Sequence, residues 1–159
     1  MEATLKPVVL LVDDEDMVIT SLRALLLIET DYEVHAFTRP EEAAKLLETT
    51  PVDVAVSDYL MPKMTGIQFL ARAKALRPEA SRVLLTGHAD KASAIQAINE
   101  VGLFQYLEKP WENAQLLLVL QHAVERARLL SDLRIKIGEL DTAHSTLKDV
   151  QRRLLRAFL

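Results

Sequence analysis

Short runs of β-branched and apolar residues alternate along this chain with longer stretches in which apolar residues recur every three or four positions. Period-two and run-like segments alternating with helical periods predict βα units around a parallel sheet. The expected strands are Val8 to Val12, Glu33 to Ala36, Val52 to Ser57, Arg82 to Leu85 and Phe104 to Leu107. The first helix carries Val18, Leu22, Leu25 and Leu26 on one face, and the second follows Thr38-Arg39-Pro40-Glu41-Glu42, with Thr38 or its neighbour as the cap. The third runs from about Thr65 to Leu76, because the residue ahead of Pro78 is sterically driven out of the helical region. The fourth begins near Asp90, carries Ala94, Ile95 and Ile98, and ends at Gly102. Five strands and five helices in strict alternation predict an α/β fold with a five-stranded parallel sheet of flavodoxin-like order 2-1-3-4-5.

After Pro110 the pattern changes. From Trp111 to Leu159 there is no proline and one glycine, Gly138, and apolar residues keep helical spacing, which predicts a single long helix. Its first part, with Leu116, Leu117, Leu120 and Val124, suits packing on the sheet as the fifth helix, so the chain divides into a domain over residues 1–128 and an extended helix over 129–159. In that extension Leu130, Leu133, Ile137, Leu140, His144, Leu147, Gln151, Leu154 and Phe158 follow alternating steps of three and four. Such a stripe is narrower than the face a helix buries in a globular core and matches a coiled-coil seam, so a parallel homodimer through this helix is expected. The competing expectation is that the stripe packs on a further domain, since the apolar end Ala157-Phe158-Leu159 reads as a chain cut ahead of one.

Composition narrows the picture. A chain of 159 residues, half of them hydrophobic, can bury the core of one domain with an appendage to spare. With no cysteine, neither a disulfide framework nor a thiolate metal site can form. The start Met1-Glu2-Ala3-Thr4-Leu5-Lys6-Pro7 lacks the basic and long apolar regions of an export signal, and no apolar run approaches the ~20 residues that cross a bilayer. A cytoplasmic protein with no membrane partner is therefore expected. A net charge of -4, with basic residues interleaved among acids, offers no electrostatic footprint for nucleic acid, so none is expected to bind this chain alone.

The candidate chemistry lies where the strands end. The first run ends in Asp13-Asp14, the third in Asp58, the fourth in Thr86, and the fifth leads through Glu108 into Lys109-Pro110. In an open parallel α/β sheet these carboxyl ends form the ligand-binding rim, and on the expected order strands 1, 3, 4 and 5 share it. Phosphoryl transfer onto a carboxylate needs an in-line nucleophile, a metal to neutralise charge on the oxygens, and cationic or hydroxyl donors for the rest. Asp58 suits the nucleophile. Asp13, Asp14, Asp58 and the backbone carbonyl of Leu60 supply oxygens for Mg²⁺, a hard ion that takes a few carboxylates and keeps waters. Lys109 suits the phosphoryl oxygens and Thr86 can hydrogen-bond one of them.

With Met61-Pro62 and Gly66 behind Asp58, Tyr106 on the fifth strand, and Lys109-Pro110 after it, the chain resembles the receiver domains of two-component response regulators over about Val8 to Arg128. The resemblance implies a phosphoacceptor at Asp58, loaded by a sensor histidine kinase with Mg²⁺ as cofactor, that assists its own phosphorylation and loses the phosphate slowly rather than turning over a substrate. It implies Thr86 and Tyr106 as switch residues, Pro110 after a cis bond and Gly66 as structural positions, and a relay through the Thr86/Tyr106 face and the long helix to an output module. Leu60, two residues after the acceptor, cannot orient an attacking water as a polar side chain could, and His88 is placed near the mouth of the site; both are expected to modulate lifetime. The segments Leu85 to Asp90 and Tyr106 to Glu112 are similar to receivers that precede phosphodiesterase or transcription-activator modules.

Two other readings compete. Asp14-Glu15-Asp16 after a strand, with Thr86 and Lys109, could serve an aspartyl-nucleophile phosphatase of haloacid-dehalogenase type, but such enzymes need a further acidic pair on a strand after the lysine, and here only helix follows. A stand-alone interaction module whose long helix is itself the output is the second. His35, His88, His122 and His144 share no ligand spacing, and His144 reads as a helix-interface histidine.

Overall fold

The computed structural model describes residues 5–158, apart from the side chains of His88, Ala97, Ile98, Glu100 and Phe158. Five strands, β1 (Val8–Val12), β2 (Glu33–Phe37), β3 (Val54–Asp58), β4 (Ser81–Thr86) and β5 (Gln105–Glu108), form one sheet in the order β2-β1-β3-β4-β5, every pairing parallel. The helices are α1 (Asp16–Glu29), α2 (Pro40–Thr49), α3 (Gly66–Leu76), α4 (Lys91–Val101) and α5 (Asn113–Phe158), with one 3₁₀ turn, His88–Asp90, ahead of α4. This is the flavodoxin-like architecture that the alternation predicts.

Alternation along the strands sorts side chains into two apolar layers. Val9 and Leu11, Val54 and Val56, Val83 and Leu85, and Leu107 face the layer completed by Ile19, Leu22 and Leu26 of α1 and by α5. Leu10, Val12, Ala55 and Leu84 face the opposite layer, filled by α2, α3 and α4 through residues such as Leu47, Phe69, Leu70 and Ala94. From α5 the first layer takes Leu116, Val119, Leu120, Ala123 and Val124, the spacing of a broad core-facing stripe. Strands buried on both faces read as continuous apolar runs, as β1, β3 and β4 do.

Several expectations shift locally. In α1 the inward face includes Ile19, while Val18 and Leu25 are only partly buried. Of the two expected α2 cap positions, Thr38 or its neighbour, the structure uses the neighbour, Arg39, which makes no side-chain cap bond, and Pro40 starts the helix with its φ already set. β3 begins at Val54 because Asp53 turns its carboxylate back to accept the Val8 N–H at 2.8 Å. Of the apolar residues that α4 carries, Ala94 is buried whereas Ile95 is 49% exposed. Ala94 and Val101, seven residues apart, hold the buried stripe, and Ile95 lies about 100° round from it. The third helix carries a full capping box: Thr65 Oγ1 accepts the Gln68 N–H and Gln68 Oε1 accepts the Thr65 N–H. The fourth stops at Gly102, whose φ of +62° is the left-handed closure glycine adopts freely.

By its contacts the chain forms two compact units, Met1–Ala127 and Arg128–Leu159, with α5 supplying residues to both. In the second unit every residue from Ser131 to Ala157 is helical and exposed. No described helix is long and apolar enough to cross a membrane.

Candidate functional site

The parallel register sets the site. Val12 pairs with Ser57 and Asp58 with Leu85, so the residue after β1 and the last residue of β3 emerge side by side. Thr86 pairs with Glu108, which puts Lys109 one residue beyond the rim. The Lys109 N–H donates to the Thr86 carbonyl at 2.7 Å, and the Lys109–Pro110 bond is cis.

Asp13, Asp14 and Asp58 come together with one carboxylate oxygen from each within 4.8 Å of the others. Asp13 and Asp58 are buried and Asp14 is exposed, so the cluster opens to solvent on the Asp14 side. The Lys109 ammonium donates to Asp13 Oδ2 at 2.9 Å and lies 3.1 Å from Asp58 Oδ1, bridging the two buried acids. Asp13 is fixed further by the Glu15 N–H, which donates to its Oδ1 at 2.9 Å. Burial, then the neighbouring Asp13 charge, push the Asp58 carboxyl up to about 6, against the opposing pull of Lys109. Burial works to lower the Lys109 pKa, but its hydrogen bonds and charge pairing with Asp13 and Asp58 outweigh this, and the ammonium is held above its ordinary range. Three acids sharing one cation leave an excess of negative charge.

The loop behind Asp58 is tightly drawn. The Gly66 N–H donates to the Tyr59 carbonyl at 2.8 Å and Ser57 Oγ to the Asp58 carbonyl at 3.0 Å. A side chain at Gly66 would meet the Asp58 carbonyl oxygen, the Asp58 carbonyl carbon at 2.9 Å and Leu84 Cδ1 at 3.0 Å, so only glycine lets α3 start this close to the strand end. Lys63, with φ of 70°, makes the sharp bend between Pro62 and α3. Nothing in the composition marks that lysine in advance, since its conformation is imposed by the length of the loop.

Thr86 is fully buried, its hydroxyl donating to the Leu107 carbonyl at 3.5 Å, the outer limit for such a bond. No hydrogen bond among the described residues joins it to the acidic cluster. Tyr106 is partly buried beside the α3 and α4 layer and lines a cleft of about 580 Å³ with Lys91, Leu103, Glu108 and Gln115. Leu60 is 57% exposed. The His88 side chain lies outside the described residues. Pro110 is exposed and shares the Tyr106 cleft.

Sequence reading missed Arg82, which it took only as a strand start. Its guanidinium is buried and donates to the carbonyls of Val101, Gly102, Pro78 and Ala80 at 3.0–3.4 Å, tying the end of α4 to β4. Burial, then the nearby Arg126, lower its pKa. A lone arginine beside an apolar run carries no signal of that role, because the carbonyls it holds at the end of α4, Val101 and Gly102, lie 19 and 20 residues away.

An acidic cluster with a bridging lysine at the rim of a 2-1-3-4-5 sheet is an arrangement for holding a hard cation and an anionic group together. Residues 9–121 match the response regulator receiver domain family, and the chain belongs to it. It is 34% identical to the hydrogenase transcriptional regulatory protein HoxA of Cupriavidus necator over 88% of this chain and 29% of that protein. The chain thus spans under a third of the first curated relatives it matches. Among solved structures, the signal receiver domain of an HD domain-containing protein from Pseudomonas fluorescens Pf-5 is 34% identical with a TM-score of 0.77, covering 83% of this chain and 96% of that one. A response regulator receiver domain protein from Clostridium thermocellum is 32% identical with a TM-score of 0.72, covering 78% and 98%.

The acids fit a divalent cation of the kind receiver domains bind. Three carboxylate oxygens converge, and the Asp58 carboxyl, raised by burial first and then by the Asp13 charge, stands in a crowded acidic site that a cation would relieve.

Proposed function

We propose that this chain is a phosphorylation-dependent switch whose phosphoacceptor is Asp58, loaded by a sensor histidine kinase. The observation that carries the reading is the Lys109 ammonium shared between Asp13 and Asp58 at 2.9 and 3.1 Å, with Asp14 alongside. Mg²⁺, held by Asp13, Asp14, Asp58 and the Leu60 carbonyl, would neutralise charge on the phosphoryl oxygens. One Asp58 oxygen forms the new P–O bond as the donor's P–N bond breaks and the electron pair leaves on the imidazole nitrogen. Lys109 gives up part of its contact with Asp58 to pair with a phosphoryl oxygen. Thr86, whose bond to Leu107 is weak, turns its hydroxyl toward the new charge, Tyr106 follows into the space vacated, and the cleft beside it repacks. Relay to an output module then runs through this face and α5. The likeness to transcriptional regulatory proteins supports a regulator in which this chain is the switch and not the output.

Incubation with acetyl phosphate and Mg²⁺ should add one phosphoryl group by intact mass, and Asp58→Asn should abolish it. Equal labelling of the Asn variant would sink the assignment. Asp14→Ala should weaken Mg²⁺ binding, whereas Lys109→Ala should keep metal binding and lose phosphorylation or the switch. Steady turnover of p-nitrophenyl phosphate would favour a phosphatase instead, though only α5 follows Lys109 and Pro110 among the described elements.

A further inference from the structure

We infer that the second unit, Arg128–Leu159, pairs with a second copy of itself as a parallel, in-register coiled coil. The segment lies outside the residues that match the receiver family. Its helix is exposed on every side from Ser131 to Ala157, including Leu133, Ile137, Leu140, Leu147 and Leu154, each at least half exposed. Helices of this kind owe their stability to burying an apolar face, and a face repeating every seven residues over four heptads is matched by a partner of the same repeat. A second copy supplies that partner.

Charge decides the orientation. With Leu133, Leu140, Leu147 and Leu154 at the d positions, the flanking e positions are Arg134, Asp141, Lys148 and Leu155, and the g positions include Lys136, Ala143 and Val150. In a parallel pair each g residue faces the e residue five positions on in the partner. Lys136 then meets Asp141, Val150 meets Leu155, and no like charges face each other. In an antiparallel pair centred on the same stripe, e faces e. Asp141 would meet Asp141, and Arg134 would meet Lys148. The a positions add to this: His144 and Gln151 stack on their own counterparts only when the helices run in register and parallel, whereas antiparallel pairing sets these polar groups against leucines. Like polar layers cost stability and fix register.

The chain has no cysteine, so single cysteines report orientation without background. The full chain at micromolar concentration should scatter light as twice 17.9 kDa, and Leu140→Asp with Leu147→Asp should return it to the monomer. Both leucines are exposed in the single chain, so these changes leave the first unit's fold intact. Leu133→Cys alone and Leu154→Cys alone should each oxidise to a linked dimer. Lys136→Asp should weaken the dimer roughly threefold to tenfold, and adding Asp141→Lys should restore it. A monomer for the unmodified chain, or a dimer that survives the double aspartate change, would overturn the seam. Linkage when Leu133→Cys and Gln151→Cys chains are mixed, with neither Leu133→Cys nor Leu154→Cys linking alone, would overturn the parallel orientation. None of these readouts depends on Asp58.

Discussion

Replacing Asp58 by asparagine should make the metal-free protein more stable, although it removes the proposed phosphoacceptor. In the folded chain the Asp58 carboxyl is raised from 3.8 to about 6, by burial first and then by Asp13. Each factor of ten in proton affinity is about 1.4 kcal/mol, so keeping Asp58 ionised at neutral pH costs at most roughly 3 kcal/mol of folding stability. Because the cluster opens to solvent beside exposed Asp14, screening reduces this to about 1–2 kcal/mol. The asparagine amide removes one of the repelling charges, and Lys109 keeps its 2.9 Å contact with Asp13. The sign of the pH dependence follows. Between the unfolded value and about 6 the native state binds more protons than the unfolded state, so this group's contribution to stability improves as pH falls through that window. Urea unfolding in EDTA at pH 7.5 should therefore give Asp58→Asn the higher midpoint, with the melting temperature up by about 3–8 °C, and the advantage should shrink by roughly half at pH 5. Mg²⁺ should stabilise the wild type more than the variant, because binding to the native state alone adds stability by mass action. An Asn variant as stable as the wild type or less so at pH 7.5 without metal would refute the reasoning about crowded charge.

Gly66→Ala should cost about 2–3 kcal/mol in urea unfolding, because the new methyl runs into the Asp58 carbonyl and Leu84 and α3 must back away; an unchanged midpoint would mean the loop yields freely. Leu60→Asn should shorten the lifetime of the phosphorylated protein severalfold, since the aliphatic side chain shields the line of attack without orienting a water; a wild-type half-life of seconds, unchanged in the variant, would remove Leu60 from the account. Gly138→Ala should raise helicity by circular dichroism and stabilise the helix by about 1 kcal/mol, because an added Cβ meets nothing within 4 Å; lower helicity would show that the glycine serves a bend.

The order of strands and helices was legible in the residues because buried parallel strands write themselves as apolar runs and surface helices as three-four repeats, both local in sequence. Asp13, Asp14, Asp58 and Lys109 were legible for the same reason: each stands where a run stops, and the 2-1-3-4-5 order carries their ends to one rim. What the tertiary structure alone decided depends on neighbours far along the chain. The register pairing Val12 with Ser57 and Thr86 with Glu108 set the distances that let one ammonium bridge two acids. Arg82 became a tie for the end of α4 through carbonyls that no local pattern announces. Ile95 faced outward because α3 and β4, and not its own helix, chose which side of α4 to bury. Periodicity reports that a helix has a face; only the packing of the other elements determines where that face points.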